Sequence, residues 1–272
     1  MGYTLPIKSK QYRDSRMQLI DSHCHFDDSC FDSDREAAYQ RALGAGVKRQ
    51  IVPSIKSDWW PRVRQICGQY QGLHAAYGLH PMFLSEHRQR DIIALENWIQ
   101  NESPVAIGEC GLDFFIAHPD REGQQRFFEA QLELAQKYNL PIIIHARRAV
   151  EEVINTLRRY PGIRGVLHSF SGSEQQARRL IELGFLMSFG GPITYLRAKR
   201  LRQLVSVLPL EAIMLETDSP DQPDTENRGK RNEPARLGRV LEAVSTLRQA
   251  PLEEIAEATT RNAQKLFGLT AT

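Results

Sequence analysis

The sequence lacks the features that mark several protein classes. Its 272 residues include four cysteines, and no two of them form a CxxC pair. Cysteines without such spacing in a chain of this length are expected to be reduced and packed. No apolar run approaches the ~18 residues of a membrane-spanning helix. The early cations Lys8, Lys10, Arg13 and Arg16 precede no apolar signal segment. We therefore expect a cytoplasmic protein with no membrane partner.

Charge and motif content exclude further classes. The formal net charge of +2 is too small to indicate nucleic-acid binding by itself. The chain has no GxSxG elbow, no P-loop and no GxGxxG, which argues against a serine esterase, an NTPase and a dinucleotide-binding enzyme. With 41% hydrophobic and 25% charged residues, the composition is that of a globular protein with one large core.

Apolar, strand-like runs alternate with amphipathic, helix-like stretches. Units of this kind without a break in composition predict a single, slightly irregular (β/α)8 TIM-type barrel over residues 18–272, although a doubly wound open sheet alternates the same elements. Residues 1–17 are predicted to be a flexible leader, unless translation begins at Met17. The predicted strands are Leu19–His23, Val47–Pro53, Leu73–Leu79, Val105–Glu109, Pro141–His145, Gly165–His168, Phe185–Phe189 and Ala212–Thr217.

Side chains that bind metals lie at the ends of these runs. A barrel of parallel strands gathers its strand ends at one rim, whereas an open sheet binds its ligand at one switch point between two strands. Ligands on several strands therefore favour the closed barrel and predict a two-metal hydrolase. The candidates are His23, His25, Glu109, His145, His168 and Asp218.

The histidine candidates are weak singly and stronger together. His23 and His25 are two residues apart on a strand, so both imidazoles share a face and can reach one ion. Cys24 between them should point the other way, into the core. For His145 or His168 alone, a neutral core histidine bonded to a carbonyl is the simpler interpretation. The convergence of all the candidates favours metal ligation.

The carboxylates at the strand ends also indicate metal binding. Glu109 closes an apolar strand, where a bare carboxylate is costly unless it binds a metal or pairs with an arginine. Asp218 also ends an apolar run, and it can bind a metal and accept a proton from the attacking water. Glu216 has the same strand parity as Asp218. It is predicted to orient a ligand histidine, with plain packing as the alternative.

Seven motifs together resemble the TatD family of metal-dependent hydrolases, within the amidohydrolase-type barrels. They fall in order and cover nearly the whole chain after residue 18. The stretch GGPITYLRAKR (190–200) is similar to the YjjV-type branch of that family. The motifs are DSHCHFD (21–27), YGLHP (77–81), GECGLDF (108–114), PIIIHARRA (141–149), HSFSGS (168–173), ETDSP (216–220) and RNEPARL (231–237).

The resemblance implies a specific site. Two divalent ions, Zn, Mg or Mn, would be bound per subunit. One ion would be held by His23, His25, Glu109 and Asp218, and the other by Glu109, His145 and His168. Asp218 would be the catalytic base. The residues near the substrate would be His80, Arg147, Asn232 and Glu233, and helix capping is an equal alternative for the last two.

Three functions are compatible with these residues. The leading hypothesis is a phosphodiesterase or deoxyribonuclease of the 3′–5′ exonuclease kind, with a nucleic acid or phosphoester as substrate and no obligate protein partner. A second hypothesis keeps the site and cleaves an aminoacyl ester or a cyclic amide. A third is a catalytically silent barrel that binds nucleic acid or a partner protein. Loops decide the substrate of a barrel, so the ligands do not separate the first two.

Overall fold

Eight parallel strands pair in chain order in the computed structural model, which describes residues 18–270. The predicted flexible leader at residues 1–17 lies outside the described residues. The strands are β1 Leu19–Asp21, β2 Val47–Pro53, β3 Leu73–Tyr77, β4 Ala106–Asp113, β5 Ile142–Arg147, β6 Gly165–Leu167, β7 Phe185–Phe189 and β8 Ile213–Leu215.

Hydrogen bonds between the first and last strands bring the sheet round into a barrel. The Ser22 N–H donates to the Leu215 carbonyl at 3.0 Å, and the Asp218 N–H donates to the His23 carbonyl at 2.9 Å. The predicted (β/α)8 TIM barrel is thereby confirmed. The barrel is slightly irregular, because the strand register changes within the β1–β2 pair and within the β4–β5 pair.

Helices follow the strands and cover the outside of the barrel. Asp120 caps α4 by accepting the Gly123 N–H at 2.8 Å, and Ser173 and Gln176 form a capping box at α6. The helices are α1 Arg35–Gly44, α2 Trp60–Gln69, α3 Gln89–Glu102, α4 Arg121–Tyr138, α5 Val150–Leu157, α6 Glu174–Glu182, α7 Lys199–Val207, α8 Leu237–Arg248 and α9 Leu252–Phe267.

The core has two parts. The larger part packs the strands against the helices. The smaller part contains buried residues from the strands, such as Ile51, Ile143 and Met214, together with Leu266 and Phe267 of α9. Because apolar side chains fill this lower part of the barrel, polar side chains at the strand ends collect in the opposite mouth.

Two expectations about individual elements can be compared with the structure. Cys24 is fully buried and its thiol donates to the Gln50 side chain at 3.4 Å, which confirms its assignment to the core. Among residues 18–270, no helix has the length and apolarity to cross a bilayer. The cytoplasmic location stays a prediction.

Candidate metal centre

Glu109 lies where the backbone after β3 comes very close to the backbone of β4. This close approach requires glycine. A Cβ at Gly78 would lie 2.6 Å from the carbonyl carbon of Gly108, so only glycine fits there. Gly108 has a φ of 147°, which also favours glycine. The pairing of β4 with β5 shifts register between Ile107 and Cys110. This irregular stretch leaves the Glu109 carboxylate in the mouth, with the residue only 2% exposed.

One oxygen of Glu109 faces a first ligand group, formed by His23, His25 and Asp218. Glu109 Oε2 lies 3.2 Å from His23 Nε2 and 3.4 Å from His25 Nε2. The two imidazole nitrogens are 3.3 Å apart. Asp218 Oδ1 lies 3.5 Å from His23 Nε2 and 3.9 Å from His25 Nε2. The structure thus brings together the four residues predicted to hold one ion.

The other oxygen faces a second ligand group, formed by His80, His145 and His168. Glu109 Oε1 lies 2.8 Å from His168 Nε2, 3.0 Å from His80 Nε2 and 3.1 Å from His145 Nδ1. His145 Nδ1 and His168 Nε2 are themselves 3.1 Å apart. The residues predicted for the other ion therefore also meet, and His80 joins them.

These two groups fit divalent cations. Ligand atoms of a tetrahedral ion with bonds of about 2.1 Å are separated by about 3.4 Å, which matches the observed spacing. Each group contains a set of three donor atoms that all lie within 4.8 Å of one another. Three imidazole nitrogens crowd the single oxygen Glu109 Oε1, and a cation satisfies such a set better than hydrogen bonds can. The donor chemistry is that of a transition metal or magnesium site.

The electrostatics of the cluster also demand positive charge. Burial raises the pKa of Glu109, but the facing imidazoles of His168, His80 and His23 outweigh burial and hold its pKa well below the usual range. Burial lowers the pKa of His80 to about 4 and that of His23 well below its usual value. Burial also opposes the charge of His25 and His168, but Glu109 outweighs it and raises their pKa values to about 9 and about 10. A bound cation would replace the protons on His25 and His168, because a metal binds neutral imidazoles and ionised carboxylates.

Asp113 fixes the orientation of His145. Its Oδ2 lies 2.9 Å from His145 Nε2, which turns Nδ1 of the same ring toward Glu109. Asp113 is fully buried at the end of β4 and also accepts the Phe115 N–H at 2.8 Å. A carboxylate behind a ligand histidine sets its tautomer and raises its basicity. Asp113 therefore supplies the orienting role that the sequence suggests for Glu216.

Glu216 lies beside His168 without a hydrogen bond to it. Its Oε1 is 3.9 Å from His168 Nδ1 and accepts the Ser169 N–H at 2.7 Å. Burial raises the pKa of Glu216 to about 8. Within residues 18–270, His168 Nδ1 and Glu216 Oε2 are both buried without a hydrogen-bond partner. Glu216 thus shapes the backbone next to the ligand rather than bonding to the imidazole itself.

A short chain of side chains holds Asp218. The Gln222 amide donates to Asp218 Oδ2, and Gln222 in turn bonds to the Ser169 hydroxyl at 2.9 Å. Asp218 itself has a φ of 53°, a left-handed conformation that aspartate tolerates better than most residues. Because Oδ2 is held from behind, Oδ1 faces the first ligand group.

The residues predicted near the substrate separate into two pairs. His80 and Arg147 line the mouth of the barrel. His80 is only 4% exposed and lies among the ligand atoms. Arg147 is exposed, and its guanidinium lies 3.7 Å from the centre of the Phe115 ring. Arg147 therefore lies on the exposed wall of the cavity, and His80 lies buried within 3.0 Å of Glu109.

Asn232 and Glu233 lie away from the cavity lining, and a substrate contact for either residue stays a prediction. The Asn232 amide donates to the carbonyls of Thr217 and Asp221, both at 2.8 Å. Glu233 stands at the N-cap of the following turn, makes no side-chain cap bond and pairs with Arg41 at 2.6 Å. Neither residue lines the cavity. They tie the loop after β8 to the barrel and to α1.

The ligand groups lie at the base of an open cavity of about 860 Å³. Loops after several strands form its walls, so the cavity sits at the carboxyl end of the barrel, where barrel enzymes place their active sites. The wall includes Trp59, Phe83, Arg147, Ile193 and Gln222. The volume is within the range of small-molecule sites and leaves room for part of a polymer.

Sequence reasoning missed three contributors: Asp113, Gln222 and the His80 imidazole as a ligand-distance group. Asp113 shares strand parity with Glu109, and this signal was available in the motif GECGLDF. Gln222 lies in a loop, where no periodicity predicts the direction of a side chain. His80 follows a strand by three residues, so its convergence depends on the turn geometry.

The barrel and its imidazole and carboxylate pocket define the class: this is a metal-dependent hydrolase. The chain belongs to the TatD family, because the family profile described as TatD related DNase matches residues 20–268. It is 42% identical over 255 residues to the metal-dependent hydrolase YjjV of Escherichia coli strain K12, covering 93% of this chain and 98% of that protein. It is 35% identical to the metal-dependent hydrolase YabD of Bacillus subtilis strain 168, covering 92% and 98%.

Solved structures agree with this assignment. The crystal structure of YjjV, a TatD homologue from Escherichia coli, superimposes with a TM-score of 0.89 at 41% identity, covering 93% of this chain and 98% of that one. A TatD family hydrolase from Entamoeba histolytica shares the fold, with a TM-score of 0.83 at 21% identity over 93% and 99% of the two chains. The predicted resemblance to the TatD family is confirmed.

Proposed function

We propose that this chain is a divalent-metal-dependent phosphodiesterase that shortens DNA from the 3′ end. One observation carries the proposal: the two oxygens of Glu109 are divided between two ligand groups. Oε2 faces His23 and His25, and Oε1 faces His145 and His168. A carboxylate between two groups of this kind suits a pair of ions, and paired ions are typical of phosphatases and nucleases.

The candidate ligands form two ion sites with different residues. His23, His25, Glu109 and Asp218 would hold one ion, and Glu109, His145 and His168 the other. Bound ions lower the pKa of water and hold the negative charge that builds on a phosphoryl oxygen. The histidines favour zinc, and the carboxylates also suit magnesium or manganese.

Asp218 and Arg147 act on the water and the phosphate. Burial raises the pKa of Asp218 above its usual value, in the direction that helps a carboxylate accept a proton. Its Oδ1 faces the ligand group where the attacking water would be bound. Arg147 stands exposed on the cavity wall, and its planar guanidinium can bind two phosphate oxygens at once.

The test is hydrolysis of single-stranded DNA that carries a 5′ label, with added Mg²⁺, Mn²⁺ or Zn²⁺. The expected result is a ladder of fragments shortened from the 3′ end, abolished by a chelator and by Asp218→Asn. Metal content per chain is measured on the same samples by elemental analysis. Protein that is loaded with metal yet cleaves no phosphodiester under any of these conditions would contradict the proposal.

A substrate panel separates the other two hypotheses. Model phosphodiesters, carboxylic esters and cyclic amides are offered to the same metal-loaded protein. Turnover of esters or amides alone would support the esterase or amidase hypothesis, which uses the same ligands. The silent barrel predicts that Asp218→Asn leaves the cellular role intact, whereas a hydrolase predicts its loss.

A further inference from the structure

The rim of the cavity is chemically one-sided. The end of β5 and the loops after β2, β3, β4 and β5 carry aromatic rings and cations. Trp59, Phe83 and Arg147 line the cavity, and Lys56, Phe115 and Arg148 lie beside them. We name this set of six residues the ring-and-cation arc. The loops after β8 and β1 carry carboxylates on the cavity wall instead, which we name the acidic arc: Asp27, Asp28 and Asp221.

Contacts between rings and a cation join the members at one end of the ring-and-cation arc. Lys56 Nζ lies 5.7 Å from the Trp59 ring centre and 5.3 Å from the Phe83 ring centre, and it pairs with Glu86 at 2.8 Å. Phe83 lies 6.1 Å from the His80 ring, so this end of the arc begins at the ligand cluster. The rings of Trp59 and Phe83 are half-buried.

The other end of the arc is more exposed and more basic. Phe115 is 46% exposed, although it is a large apolar side chain on a loop. The guanidinium groups of Arg147 and Arg148 lie 3.7 Å and 4.5 Å from its ring centre. Both arginines are exposed. An exposed ring flanked by two cations offers a stacking face beside binding sites for phosphate.

We propose that the ring-and-cation arc is the track along which a single-stranded nucleic acid leaves the metal centre. Bases stack on Trp59, Phe83 and Phe115, and Arg147 and Arg148 bind the phosphates between them. The acidic arc repels a continuing backbone, so the strand occupies one side of the mouth and its end lies at the ligands. This inference rests on the proposed function, and it explains why the site accepts strand ends.

Binding separates this proposal from hydrolysis. The probe is a fluorescein-labelled oligothymidylate with phosphorothioate linkages, measured by anisotropy with wild-type protein and with Phe115→Ala. A second probe has the same linkages and abasic sugars. Phe115→Ala is expected to weaken oligothymidylate binding roughly 5- to 100-fold and to leave the abasic chain unchanged, since stacking needs a base. The control Ile93→Ala removes a side chain that is 61% exposed on α3 and is expected to change neither.

The cations are tested through salt dependence. Arg148→Gln is expected to weaken both probes and to lower the slope of log affinity against log salt by about 0.7, because one phosphate contact is lost. Its control is Arg178→Gln on α6, where the side chain is 53% exposed and pairs with Glu174. The acidic arc is tested with Asp221→Asn, which is expected to strengthen binding of a circular oligothymidylate relative to the linear one.

Each outcome decides between the two proposals. Ring variants that bind oligothymidylate as tightly as the wild type, or that lose both probes equally, overturn the track. Wild-type protein that binds neither probe also overturns it. Phe115-dependent binding without any cleavage in metal would leave the track standing and contradict the phosphodiesterase. Uridine and thymidine oligomers then show whether RNA or DNA is preferred.

Discussion

The two ends of the barrel interior have opposite chemistry. The lower end contains apolar side chains such as Ile51, Ile143 and Met214, packed with the end of α9. The mouth holds buried imidazoles and carboxylates, and within residues 18–270 His23 Nδ1 and Glu216 Oε2 are buried without a hydrogen-bond partner. Burial of apolar surface stabilises a fold, whereas buried polar atoms without partners destabilise it. The lower end therefore maintains the barrel, and the mouth is built for a cation.

The largest effect is expected from the carboxylate that both ligand groups share. Glu109→Gln removes the one negative charge that the two ligand groups share, so we expect loss of bound metal and a fall in kcat/KM of about 10³-fold or more, since a catalytic ion contributes several kcal/mol. The free energy of unfolding of the metal-free protein is expected to fall at neutral pH, because the lowered pKa of Glu109 shows that the facing imidazoles stabilise its charge in the fold.

Elemental analysis, steady-state kinetics and urea unfolding check this prediction. The control is Glu254→Gln, an exposed residue at the start of α9. The mouth would not differ from the lower end in this way if Glu109→Gln unfolded most of the protein while the fraction that stays folded kept full activity.

A cavity at the lower end should show the reverse behaviour. Ile51 is fully buried on β2, and Ile51→Ala is expected to lower the free energy of unfolding by about 2–5 kcal/mol. The activity of the folded protein should change little, since the residue contacts no ligand. Urea unfolding and activity at a temperature well below Tm measure the two quantities. A large fall in kcat of the folded protein would show that the two ends are coupled.

A smaller effect is expected from the residue that holds Asp218 from behind. Gln222→Ala removes the amide that donates to Asp218 Oδ2, and partners of metal ligands typically contribute 10- to 100-fold in affinity or activity. We expect a fall in kcat of about that size with little change in KM, together with weaker metal binding. Gln40→Ala on the outer face of α1 is the control. Unchanged metal affinity and kcat in Gln222→Ala would show that Gln222 does not position Asp218.

The smallest effect lies outside the barrel interior, in the ion pairs beyond the rim. Hydrogen bonds from Arg231 and Arg41 hold the pKa of Asp34 well below its usual range. The folded protein then binds fewer protons than the unfolded chain, so this stabilisation is present at neutral pH and is lost as the pH falls below about 3.9. Partly exposed pairs contribute about 0.2–1 kcal/mol. Asp34→Asn should flatten the acid side of the stability profile, and a steeper profile would contradict the sign.

The sequence predicts the strands well where periodicity and burial coincide. The predicted Phe185–Phe189 and Val47–Pro53 match β7 and β2, because each ends in a run of buried, mostly apolar side chains. The fourth strand was predicted to end at Glu109, whereas β4 continues to Asp113. Glycines in GECGLD hid this extension, since they lower strand propensity while allowing close approach.

Side chains in loops were predicted less well than those on strands. The substrate contact expected for Asn232 stays a prediction, and the sequence did not reveal that its amide donates to three backbone carbonyls under the loop. Gln222 and the position of His80 among the ligands were not foreseen. On a strand, parity decides which way a side chain points, and in a loop the direction depends on backbone angles that no repeat reveals.

The sequence alone determined the barrel and most of the candidate metal ligands, because alternating β and α units and polar residues at strand ends are local patterns with a defined period. Only the tertiary structure decided how those residues are distributed between the two ligand groups. It placed Glu109 between two groups, set Asp113 behind His145, added His80, and gave one side of the rim rings and cations. Such divisions depend on distances between distant parts of the chain, and those distances follow from packing and turn geometry.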